Sequence, residues 1–163
     1  EPMTPQTTGA VPPTKGRIPP EDWKWYGTAG HLIVASNCRF HLTTRVGGYM
    51  VSTVGEYVPD SVVREITSKS RGIVLNGRGD EREADWMEKV GYEEIGAGRK
   101  YETMVFHAPR SCTDGECGCG APMPDDWSED DGDGYNTRRA AQEGHYAMCE
   151  KWASLVTKAE QPQ

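Results

Sequence analysis

Four of the chain's five cysteines fall in its last third, and they constrain the fold more than any other feature. Cys112, Cys117 and Cys119 lie on the stretch C-T-D-G-E-C-G-C-G-A-P, where Gly118 and Gly120 let the backbone fold several thiols toward one point. Further on, His145 and Cys149 stand four apart among Ala140, Ala141, Met148, Trp152 and Val156. That spacing is helical, so the pair shares one face. A turn of thiols opposite a helix bearing a His–Cys pair is one way a small domain builds a tetrahedral zinc site.

Five candidates, Cys112, Cys117, Cys119, His145 and Cys149, would supply four ligands, with Cys112 able to replace His145. Four protein ligands close a zinc site and make it structural, whereas three plus a water leave it catalytic. A structural role is favoured here, because the segment 112–149 is rich in loops and short of apolar residues, and needs a cross-link. The spacing matches none of the standard zinc-finger signatures. Disulfides among these cysteines in an exported protein, or free thiols, stay open as alternatives.

With 163 residues, the chain is expected to form a single α+β domain over 21–158, preceded by a disordered Pro- and Thr-rich tail over 1–20. A net charge of -7 argues against a general nucleic-acid binder, which normally shows a basic face. No apolar run approaches the roughly 18 residues of a membrane span.

Trp23 and Trp25, two apart, put both rings on one side of an extended segment, as a lid on the core. The runs 31–35, 38–45 and 49–54 then read as a three-stranded antiparallel meander, with Gly47-Gly48 as a hairpin turn. A short helix is expected to Ile66, a short strand over 73–75, and a helix from Asp80 to the stop at Gly91. Residues 92–95 and 100–107 read as a second hairpin. The acid-rich 122–134 reads as a solvated linker, and Asn136 caps the last helix. Glu129, Asp131 and Asp133 have the rhythm of a calcium loop, but Ala140 stands where that loop needs a bidentate Glu. The sum is an antiparallel sheet of about five strands with a C-terminal helix pinned to the cysteine turn by the metal.

A second constellation, His31, Cys38, His41 and Glu56, sits in the first meander. A Cys–His pair there suggests a nucleophile and its base, and His31, His41 and Glu56 together suggest a metal-binding or acid–base cluster. Strand parity opposes it, since Cys38 and His41 point to opposite faces unless a bulge intervenes. A buried core cysteine is the plainer reading. Arg39, His41, Thr43 and Arg45 also form a polar strand face suited to a phosphate or carboxylate, or simply to solvent.

The runs W-Y-G-T-A-G-H (25–31), N-C-R-F-H-L (37–42), V-S-T-V-G-E-Y (51–57), Y-E-T-M-V-F (101–106) and C-G-C-G (117–120) resemble small uncharacterised proteins of phage and prophage genomes. The resemblance implies a bacterial cytoplasmic setting, or an infected host cell, and no particular reaction. Two functions are therefore expected to compete. One is a zinc-stabilised binding or regulatory module acting on another protein. The other is a small hydrolase or transferase built on His31, Cys38, His41 and Glu56.

Overall fold

The structure, a computed structural model, describes residues 16–28, 30–32, 35, 37–58 and 94–156. A short strand β1 (Lys24–Tyr26) is followed by two nine-residue strands, β2 (Cys38–Val46) and β3 (Tyr49–Tyr57). Thr43, Thr44, Val46, Val51, Thr53 and Val54 supply the β-branched side chains that favour the pleat. Gly47 turns the β2–β3 hairpin with φ 60, a left-handed value that favours glycine. It has a second reason to be glycine. A Cβ there would stand 3.0 Å from Ile18 Cδ1 and 3.3 Å from Val156 Cγ2.

β3 pairs with β4 (Tyr101–His107), and β4 with β7 (Asp131–Tyr135). The sheet runs β1-β2-β3-β4-β7, antiparallel at every step. Between β4 and β7 lies a separate two-residue ladder, β5 (Arg110–Ser111) with β6 (Pro122–Met123). The chain ends in α1 (Arg138–Leu155), whose first turn is capped by Thr137, one residue after the expected Asn136. The Thr137 hydroxyl accepts the Ala140 N–H at 3.1 Å.

The helix buries Ala141, His145, Met148, Cys149 and Ala153, which are spaced by three, four and eight and so line one face. That face packs on Val46, Val51 and Val105 of the sheet, with Ile18, Trp23 and Val156 closing the cluster. Successive strand residues point to opposite sides. Thr44 and Thr53 face the helix, while Arg45 faces the other side, toward the β5–β6 ladder. The sheet therefore stands between α1 and the cysteine turn.

Several expectations change. His31 lies in a turn and Ala35 in a 3-10 turn rather than in a strand, and Trp25 pairs with Thr44 in their place as the outer strand. Trp23 is buried as a core residue, while Trp25 is half-exposed, tilted over His145. The acidic stretch expected to be a linker holds strand β7. D-G-D-G has little β propensity, and the strand is held by its ladder to β4 and by Asp131, whose Oδ2 accepts from Lys151 Nζ at 2.6 Å and Trp152 Nε1 at 3.0 Å. This pairing takes Asp131 out of any calcium loop.

Of the expected tail, Gly16–Pro20 is described, and it docks on the domain. Ile18 is fully buried and its N–H donates to Ala153 O at 3.0 Å, beside an Arg17–Glu150 ion pair. The rest of that segment, the helices expected near 60–66 and 80–90 and the strand over 73–75 lie outside the described residues.

Candidate metal centre

The β5–β6 ladder closes the loop 112–121 at its base, where Cys112 N–H donates to Ala121 O at 2.8 Å. Within the loop, Asp114 directs the chain. Its Oδ1 accepts the Glu116 N–H at 2.9 Å and its carbonyl accepts the Gly118 N–H at 2.9 Å. This turn carries Cys117 round. Gly118 and Gly120, with φ 63 and 60, then turn Cys119 back toward Cys112.

The fourth group comes from the 30–32 turn. Gly30, at φ 65, donates its N–H to Thr28 Oγ1 at 3.1 Å, and a Cβ on it would lie 3.1 Å from Ala121 Cβ. This close approach seats His31 against the loop. Its Nε2 lies 3.4 Å from Cys119 Sγ and 3.7 Å from Cys117 Sγ. One donor atom each from His31, Cys112, Cys117 and Cys119 falls within 4.8 Å of all the others. With Zn–S of about 2.3 Å and Zn–N of about 2.0 Å, a tetrahedron has S···N edges of about 3.5 Å and S···S edges of about 3.8 Å. The two His31 distances bracket the first value. All five cysteines are free, so none of these thiols is tied up in a disulfide.

The thiols are electrostatically unequal. The Ala121 N–H, joined by the neighbouring thiols and His31, lowers Cys119 to about 7, so much of it is thiolate near neutral pH. At Cys112 the Asp114 backbone pulls the thiol down, but burial and the bonds to Cys119 and Cys117 together raise it. Cys117 is exposed at the loop tip. A cleft of about 730 Å³ adjoins the centre, lined by His31, Cys112, Arg45, Arg110, Ser111 and Met123 among others.

Three of the five sequence-predicted ligands thus come together, and His31 joins them. His145 and Cys149 do not, because they lie on the far side of the sheet. His145 is fully buried, with Nε2 2.8 Å from Thr44 Oγ1 and Nδ1 2.7 Å from Thr53 Oγ1, and Thr53 in turn lies 2.6 Å from Thr103 Oγ1. Burial holds its imidazole down at about 4, so it is neutral at pH 7. Cys149 is fully buried beside it, and burial pushes its thiol up to about 12. The helix is anchored by this threonine–histidine network rather than by the cysteine turn.

The second constellation is dispersed. His31 belongs to the thiol cluster. Cys38 packs with Ala35 and Val54, and burial pushes it up to about 12, a poor nucleophile at neutral pH. His41 is exposed on β2. Glu56, at φ 55, is buried and takes a fork from Arg138, Nε to Oε2 at 2.9 Å and Nη2 to Oε1 at 2.5 Å, with the Tyr101 hydroxyl at 3.2 Å. It ties the start of α1 to the sheet. On the expected polar face, Thr43 is fully buried and Arg45 is bound to the loop rather than to solvent. The signal that could have placed His31 is its neighbour Gly30. A histidine directly after a turn glycine suits a ligand on a loop better than a residue inside a strand.

No protein-family model, curated protein or solved structure matches this chain.

Proposed function

We propose that this protein is a zinc-stabilised binding module in which His31, Cys112, Cys117 and Cys119 hold one structural zinc ion. The observation that carries the reading is the convergence of four soft or borderline donors within 4.8 Å, drawn from two segments far apart in sequence. Three thiolates and an imidazole select zinc among the common divalent ions, since calcium and magnesium take oxygen ligands. Four protein ligands leave no position for a substrate, so the ion's work is to close the 112–121 loop and clamp it to the 30–32 turn. Activity then lies in the surface so shaped, and its partner is another protein. The charge of -7 fits a protein partner better than a nucleic acid, and no helix among the described residues is long and apolar enough to cross a membrane. A centre of three thiolates needs reduced cysteines, which suits a reducing compartment such as the bacterial or host cytoplasm of the phage-like setting.

The test is ligand substitution read on metal content and stability together. Cys119→Ser and His31→Ala are each expected to purify with well under half the zinc of the wild type and to melt at lower temperature. Zinc content and melting temperature unchanged in both variants would refute the structural site.

A further inference from the structure

We infer that Arg45 is the counter-charge and positioning residue of the metal centre; this rests on the zinc reading above. Arg45 projects from β2 on the face opposite the helix and meets the base of the cysteine loop. Nη1 donates to Ser111 Oγ at 2.9 Å, and Nη2 donates to Ala108 O at 3.2 Å and Arg110 O at 2.6 Å. These acceptors span the residues that lead into Cys112, and Arg45, His31 and Cys112 line the same cleft. Every one of these acceptors is neutral. Its Nε is buried without a hydrogen-bond partner, and no carboxylate pairs with Arg45 among the described residues. A part-buried cation held only by neutral groups is electrostatically unfinished.

The proposed centre is unfinished in the opposite sense. A dication bound by three thiolates and a neutral imidazole carries one net negative charge. Arg45 supplies the matching positive charge, and its fork fixes the β5 segment from which Cys112 departs. Arg110, the other arginine of the cleft, does not fill this role. It is mostly exposed and stands 3.5 Å from Asp125. Residues around metal ligands commonly change metal affinity by about 10–100-fold when removed, and Arg45 is placed to act in that range.

The experiment is cobalt and zinc binding to the full chain. Cobalt is followed by its thiolate charge-transfer and ligand-field bands, zinc by competition with a chromophoric chelator. Arg45→Met is expected to weaken zinc by at least about tenfold and to alter the cobalt bands, while Arg45→Lys, which keeps the charge, recovers much of the loss. Arg110→Met is expected to stay within about twofold of the wild type. If Arg45→Met does not fold, Arg45→Gln, which keeps an amide donor toward Ser111 without the charge, is read on the same scale. Zinc affinity within twofold of wild type in the uncharged variant, or an equal loss in Arg45→Lys, overturns the role of Arg45. A wild type that takes up neither ion overturns the metal reading itself, and Arg45 with it.

Discussion

Thr44 and Arg45 are neighbours in β2 and bond in opposite directions, Thr44 to His145 on the helix and Arg45 to Ser111 at the foot of the cysteine loop. One residue step carries the chain from one face of the sheet to the other. Two of the histidines with metal-ligand potential in the sequence, His31 and His145, are thereby separated into different tasks. One belongs to a thiol cluster at the surface, the other to a hydroxyl network in the core.

That separation predicts opposite phenotypes. His145→Ala removes a fully buried ring, leaves a cavity and strips partners from Thr44 and Thr53, so it is expected to cost about 3 kcal/mol of stability. Under native conditions it should still bind zinc one to one. Denaturant unfolding and metal analysis of the same preparation check both halves. Loss of zinc from a folded His145→Ala protein would place that residue in the centre after all.

His145 also sets a pH dependence. Its folded pKa, about 4, lies below the ordinary value of 6.5 because burial disfavours the charged ring. The unfolded chain therefore binds the proton more readily than the folded one. The contribution is complete above about pH 6.5, shrinks as the pH falls toward 4, and amounts to about 3 kcal/mol across that window. His145→Gln, which can still bond to a threonine hydroxyl, is expected to lose less stability between pH 7 and pH 4 than the wild type does. Comparing the two by urea unfolding cancels effects common to both, including acid release of metal. Parallel curves would remove His145 as the titrating group.

Gly30 tests how the second segment reaches the loop. An alanine there would hold a left-handed φ of 65 with its Cβ 3.1 Å from Ala121. The left-handed conformation alone costs about 1–2 kcal/mol, so displacement of the turn is the expected relief. His31 moves with it. Gly30→Ala should weaken zinc by about fivefold or more while the unfolding of the sheet changes little. An unchanged zinc affinity would show that the turn does not position His31.

Much of the fold was legible in the residues. The β2–β3 hairpin follows from alternation and Gly47-Gly48, and the last helix from the spacing of Ala141, His145, Met148 and Trp152. The thiol turn was legible too, because glycine beside cysteine has a direct steric meaning. Local pattern did not disclose which histidine completes the cluster. His145 and Cys149 share a helix face as expected, but that face is the core face, and only the topology shows the sheet intervening. Strand β7 was hidden for a related reason. Asp-Gly-Asp-Gly favours a loop by itself, and its extended form depends on β4 and on Lys151 and Trp152. Glu56 read as a candidate catalytic acid because its partner, Arg138, is distant in sequence.

The zinc centre is tested most simply by native mass spectrometry of protein purified without added metal, with thiol counting before and after a zinc chelator. One zinc per chain is expected, with three cysteines that react only once the zinc is removed, Cys112, Cys117 and Cys119, while Cys38 and Cys149 stay unreactive until unfolding. A folded chain that carries no zinc, with Cys117 and Cys119 reacting at once, would rule the zinc centre out.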